Sequence, residues 1–340
     1  MKGVSADKIR NFVIAGHAGC GKTTLSDMIL FKAGVVSRAG SVADGTSVSD
    51  FRAEEQERRC SIYASPLHCA WKDNHYFFVD TPGYADFFGE TKLAICAADL
   101  ALIIVDAAAG IDMGTVRAWK TAKQFGVPRA FFINGMDKEQ ASFDTVLAAL
   151  QETFGANVCV PFTVPVGEKA GLSGVASVLG GGEVPAEIAD KVEACRTALM
   201  DTIAESDEAL MTKYLEGEKL TDAEIAKGLA QAILSGGIVP VLAGSAATGI
   251  GVEELLNVAA AHFPKPNAGR HVRLVEGELV CSGSDGEGMA FVFKSVNDPF
   301  VGQLTYMRVF SGTFRADGEA FNTSNGSRER IGSLTYVNGK

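Results

Sequence analysis

Eight consecutive residues near the N-terminus have the types and spacing to hold phosphate: Gly16-His17-Ala18-Gly19-Cys20-Gly21-Lys22-Thr23. They fit the pattern G-x-x-x-x-G-K-S/T. Small residues let backbone N–H groups turn inward around an anion, and a helix starting at Lys22 adds the positive end of its dipole. Lys22 would reach the outer phosphates of a nucleoside triphosphate, and the Thr23 hydroxyl would bind magnesium. Thr24 follows in the same first turn. A second group, Asp80-Thr81-Pro82-Gly83, ends an apolar run. Alone it is a turn. Downstream of a phosphate loop, its carboxylate can hold magnesium through water, and Gly83 leaves an N–H free for the terminal phosphate. A third group is Asn134-Gly135-Met136-Asp137. A carboxylate at Asp137 can accept from the N1–H and N2–H₂ of guanine, donors that adenine lacks, while Asn134 would tie this loop to the phosphate loop. The plainer alternative makes Asp137 the cap of a helix over residues 138–150. Ser245-Ala246 could offer a backbone N–H to the base carbonyl.

Such groups need a scaffold that brings loop ends together. Short apolar runs at residues 12–15, 76–79, 100–105, 130–133 and 239–242 suit strands buried on both faces of a parallel sheet. The motifs follow these runs. Residues 61–71 and 75–79 flank the turn-like Lys72-Asp73-Asn74, which reads as a hairpin at the sheet edge. Residues 35–60 are polar, Gly/Ser-rich and without period, and read as a long loop; such loops are often functional. From about 160 to 238 the texture changes to a Gly-rich stretch and two or three amphipathic helices, one opened by the capping box Thr221-Asp222-Ala223-Glu224. A helix over residues 252–262 is stopped by Phe263-Pro264-Lys265-Pro266. Residues 288–340 alternate like strands, with turns at Asn-Asp-Pro, Ser-Gly and Asn338-Gly339. Only Lys340 follows that last turn, so a longer protein is expected. The expected fold is α/β, a nucleotide-binding domain over 1–266 with a helical insert at about 160–238, then part of an all-β domain over 267–340.

Composition narrows the partners. A net charge of −10 and a pI near 5.1 argue against holding nucleic acid through a general basic field. Contact with RNA must be local or pass through a protein. Seven cysteines, at 20, 60, 69, 96, 159, 195 and 281, show no metal-ligand spacing and read as reduced thiols. The first apolar run is too short for a secretory signal, and residues 93–109 are broken by Asp99 and Asp106, so no membrane segment and a cytoplasmic location are expected.

The motif set resembles that of the translational GTPases, and elongation factor G most closely. Residues 44–50 and 54–58 are similar to that family's first switch, and residues 205–233 look like the helical subdomain inside its G domain, which elongation factor Tu lacks. Residues 291–294, 298–305 and 309–313 resemble the start of its second, β-barrel domain. The resemblance implies a P-loop G domain, GTP/GDP and Mg2+ as ligands, hydrolysis of GTP, the ribosome as partner, and a monomer. It implies a magnesium role for Ser61 beside Thr23 and Asp80, and catalytic roles for Lys22, Gly83 and the residue at 84.

Three positions depart from the family. Ser61 replaces its Thr, keeping the hydroxyl. Gly135 replaces a Lys whose stem lies along the base. Tyr84 replaces the His that orients the attacking water. A phenol is a poor base at neutral pH and carries no positive charge, which places the chain nearer the variant elongation factor G-like proteins. Two alternatives stay open here: a GTP-sensing module with little hydrolysis, and a reactive thiol at Cys20 activated by the helix N-terminus. A P-loop ATPase or kinase fails on Asn134 and Asp137.

Overall fold

The computed structural model describes residues 4–218, 220–268, 271–273, 277–280, 286–298 and 302–339. Strand β1 (Ile9–Gly16) runs through the phosphate loop into helix α1 (Lys22–Lys32). A short helix α2 (Ala53–Arg58) follows, then the antiparallel hairpin β2 (Ser65–Trp71) and β3 (Asn74–Asp80). Helix α3 (Phe88–Ala97), β4 (Leu100–Asp106), α4 (Met113–Gln124), β5 (Arg129–Asn134) and α5 (Phe143–Phe154) then alternate. After β6 (Cys159–Pro161) come the small hairpin β7 (Thr163–Val166) and β8 (Gly174–Ser177), and three helices. These are α6 (Ala189–Glu205), α7 (Glu208–Leu215) and α8 (Asp222–Ser235). Strand β9 (Val239–Gly244) and helix α9 (Val252–His262) complete the α/β part.

Seven strands form one sheet in the order β2-β3-β1-β4-β5-β9-β6. Every neighbouring pair is parallel except β2 with β3. The continuous apolar runs are explained by the two-residue repeat of a strand. Phe12 and Ile14 of β1, Leu102 and Ile104 of β4, and Phe132 of β5 enter the core under α1 and α9. Val13 and Ala15, Ile103 and Val105, and Phe131 and Ile133 enter the core on the opposite face. Each large side chain so buried contributes about 1.5–3 kcal/mol. The phosphate loop, Asp80, Asp106, Asn134 and Gly244 all lie at the C-terminal ends of neighbouring parallel strands, where ligands of open α/β sheets bind.

Several expectations shift in detail. The loop at 35–60 contains α2, formed by the strong helix formers Glu54 to Arg58 and tied down by the buried Glu55. Strand β2 begins at Ser65, not at 61. The helix after Asp137 begins only at Phe143, because Ser142 caps it by accepting from Thr145 N at 3.3 Å; Asp137 is therefore not a helix cap. The Thr221–Glu224 capping box forms, with Thr221 N donating to Glu224 Oε2 at 2.9 Å. Cys159 to Pro161 belongs to the main sheet, so the departure from it starts after β6. No disulfide joins the six described cysteines; Cys281 and Pro299, of the Asn-Asp-Pro turn, lie outside the described residues.

The C-terminal strands are paired as antiparallel ladders: β10 (His271–Arg273) with β11 (Glu278–Val280), β12 (Met289–Asp298) with β13 (Gly302–Ser311), and β14 (Glu319–Asn322) with β15 (Ser327–Arg330). Among the described residues they do not close into a barrel. Asn338-Gly339 lies along β2, with His68 N donating to Asn338 Oδ1 at 2.9 Å. The β12–β13 ladder docks on the α/β part through polar contacts. Arg308 grips both oxygens of Asp99 at 2.7 and 2.8 Å, and Asn11 donates to the same carboxylate. Lys294 donates to the Ala64 carbonyl and pairs with Glu90 at 3.4 Å. None of the described helices is long and apolar enough to cross a membrane.

Candidate nucleotide-binding site

The phosphate loop is shaped by its glycines. Gly19 and Gly21 adopt φ +77 and +87, which side chains rarely tolerate. A Cβ at Gly21 would sit 2.3 Å from Asn134 Nδ2, so the close approach of the two loops needs glycine there. Gly21 is also the N-cap of α1 and offers no side-chain cap, leaving the first-turn amides for an anion. Lys22 is buried and curls back over the loop, its Nζ donating to the His17 carbonyl at 2.7 Å. Gly83 faces it: a Cβ there would lie 2.5 Å from Lys22 Nζ and 2.6 Å from Ala18 N. The segment carrying Gly83 is pinned by two hydroxyls, Thr81 to the Ile14 carbonyl at 2.7 Å and Thr91 to the Pro82 carbonyl at 2.9 Å. Gly16, which opens the loop, passes so close to β4 that a Cβ would meet the Ile104 carbonyl at 2.5 Å.

Near Lys22 lies a cluster of side-chain oxygens from Thr23, Ser61, Asp50 and Asp80. Thr23 Oγ1 and Ser61 Oγ are 3.0 Å apart. Ser61 is held there because Glu55 Oε1 accepts from Ile62 N and Tyr63 N, and Glu90 Oε2 accepts from Ala64 N. Asp80 is 1% exposed and Asp50 3%, and among the described residues none of their four carboxyl oxygens has a hydrogen bond of good geometry, although the Ser61 hydroxyl approaches Asp50 and those of Thr23 and Ser49 approach Asp80. Burial pushes Asp50 up to about 7, with the Asp80 charge adding to it. Burial pushes Asp80 up to about 6, opposed by the Thr23 hydroxyl and Lys22. Unpaired buried carboxylates are costly, and two of them beside two hydroxyls fit a hard divalent cation such as magnesium. Asp50 enters the sequence reading only as the end of the switch-like segment 44–50, without a role, because a lone acid in a polar loop has no pattern; its burial marks it.

Both carboxyls rise from an ordinary 3.8, so protonation favours the folded state between that value and about 6 to 7, and this contribution is lost as pH rises through that window. A cation needs both groups ionised. We therefore expect millimolar magnesium alone to raise the melting temperature more near pH 8 than near pH 5.5. A rise as large at the lower pH, measured by thermal melts, would contradict the assignment.

The loop at 134–137 is fastened by Asn134. Its Nδ2 donates to the Cys20 carbonyl at 2.8 Å and its Oδ1 accepts from Ala246 N at 2.8 Å, joining three loops through one side chain. Asp137 is half-buried, and among the described residues its Oδ1 has no hydrogen-bond partner. The amides at 245 and 246 differ from expectation. Ser245 N donates to the Ile250 carbonyl at 2.8 Å and Ala246 N to Asn134, so neither is free for a base carbonyl; they hold the loop in place. Cys20 is corrected as well. Burial pushes its thiol up, with the pull of Lys22 too weak to offset it, and it donates to the His17 carbonyl. Burial and that hydrogen bond both disfavour a thiolate at Cys20. His17 Nδ1 is buried without a partner, and Thr24 is half-buried. Tyr84 follows Gly83 with half of its surface exposed (50%), and among the described residues its hydroxyl makes no hydrogen bond.

These loops have known counterparts. The family model described as the elongation factor Tu GTP-binding domain matches residues 7–265. A solved structure from Thermus thermophilus superposes with a TM-score of 0.84 at 31% sequence identity, over 96% of this chain and 48% of that one. The chain thus spans about half the length of that protein. With a P-loop sheet and the match across most of its length, the chain belongs to the elongation factor Tu-type GTP-binding family, as an elongation factor G-like translational GTPase.

Proposed function

We propose that the protein binds GTP with magnesium and hydrolyses it to GDP and phosphate when a ribosome completes the site. The observation that carries this reading is the convergence of Lys22, Thr23, Ser61, Asp80 and Gly83 at one end of the sheet, with Asn134 fastening the base loop to the phosphate loop. In this reading the amides of residues 18–24 hold the phosphates, and Lys22 swings from the His17 carbonyl to the outer ones. Thr23 and Ser61, with Asp80 and Asp50 behind them, would hold magnesium, which neutralises charge on the outer phosphates. The Gly83 N–H senses the terminal phosphate, and Asp137 reads guanine. A domain division at about 266, an insert at about 160–238 and a partial barrel over 267–340 belong to the same reading. So do a cytoplasmic location and a monomer.

The second reading, a GTP-sensing module with little hydrolysis, is favoured by one observation. Tyr84 is uncharged, half-exposed and unpartnered where the family has a His to orient water. Steady-state GTP turnover by the full-length protein, with and without ribosomes, beside a Tyr84→His variant, separates the two. The proposal predicts ribosome stimulation of the wild type by about a hundredfold or more. Tight GTP binding without stimulation, rescued by Tyr84→His, would make the protein a binding switch.

A further inference from the structure

We propose that Lys138 supplies the aliphatic cover of the purine base, its stem crossing Gly135 and its ammonium anchored on Asp106. The proposal rests on the reading of Asn134 and Asp137 as the guanine loop and deepens it. Gly135 lies between those two residues in the left-handed region, at φ +79. A Cβ on Gly135 would meet Lys138 Cε at 2.9 Å, Cδ at 3.1 Å and Cγ at 3.5 Å. The Lys138 methylenes therefore fill the volume in which any side chain at 135 would begin. The turn that brings them there is short, with Lys138 N donating to the Gly135 carbonyl at 3.0 Å.

The far end of the side chain is fixed. Lys138 Nζ pairs with Asp106, the last residue of β4, which lies beside Asn134 in the sheet. Asp106 is itself immobilised, its Oδ1 accepting from Ala108 N at 2.9 Å and Ala109 N at 3.1 Å. The Asp106 carboxylate is 12% exposed, whereas the Lys138 side chain is 49% exposed. One side of the stem thus rests on Gly135 while about half of the side chain stays exposed, leaving methylenes against which a flat apolar surface can lie. Gly135 is the residue that makes room for this. A side chain at 135 would have to push the Lys138 stem aside, so the two positions compete for one space.

A double-mutant cycle tests the inference on the full-length protein, read as the dissociation constant of a fluorescent GDP analogue. Lys138→Ala should weaken binding by about tenfold, the loss of roughly two buried methylenes. Lys138→Met, which keeps the stem and loses the charge, should stay within about threefold of the wild type. Gly135→Lys should also weaken binding, because a side chain at φ +79 is strained and displaces the Lys138 stem. The double variant, with Lys138→Ala clearing the space, should bind more tightly than either single one. A merely structural role for Lys138 would lower the nucleotide-free melting temperature without that reversal. Binding by Lys138→Ala within about twofold of the wild type, or additive losses in the double variant, would overturn the proposal alone. No GDP binding by the wild type would overturn the guanine reading and the proposal with it.

Discussion

Asp137→Asn is expected to lower GTP affinity by about a hundredfold or more and to raise affinity for xanthosine triphosphate. The Asp137 carboxylate presents a buried oxygen with no protein partner. In the proposed complex it accepts from two guanine N–H donors, each a charge-assisted bond of about 1.5–3 kcal/mol. An amide offers one acceptor and one donor, so it clashes with the guanine amino group and matches the xanthine 2-oxo group instead. The loop itself should survive the exchange, because Asn134 alone supplies its side-chain ties to Cys20 and Ala246. Parallel titrations with both nucleotides check this. Unchanged GTP preference would remove Asp137 from base reading.

The largest expected effect on stability lies at the junction of the two parts of the chain. Arg308→Ala leaves Asp99, whose side chain is 2% exposed, as a buried charge whose one remaining side-chain partner among the described residues is Asn11. Breaking one side of such a pair costs about 3–5 kcal/mol. A fall in melting temperature on the order of 5–10 °C follows. Removing both charges together, Asp99→Asn with Arg308→Leu, should recover most of it, since the penalty comes from the orphaned carboxylate and not from the lost attraction. A fall of under about 1 °C for Arg308→Ala would show that water reaches Asp99 when the arginine is gone.

Local chemistry was legible in the sequence where a residue's type is forced by its job. Gly21 must be glycine because Asn134 lies where its Cβ would be, and Asn134 must bridge because two backbone groups converge on it. Five of the six parallel strands were readable; β1, β4, β5 and β9 are buried on both faces, which leaves an unbroken apolar run, whereas the three-residue β6 is too short to stand out. What stayed hidden depends on partners distant in sequence. Asp50 is one acid among several in a polar loop until folding buries it beside Asp80. Lys138 reads as an exposed helix residue until the turn at Gly135 folds it back and Asp106 holds it. The start of α5 was misplaced because Asp137 and Ser142 are both competent caps, and only the turn through Ala141 decides between them.

The most direct test of the account is equilibrium titration of the full-length wild-type protein with fluorescent GTP and ATP analogues, with and without magnesium. Saturable binding of the guanine nucleotide is expected, at least about a hundredfold tighter than the adenine one and weakened when magnesium is chelated. Equal affinity for the two bases, or no binding of either, would contradict it.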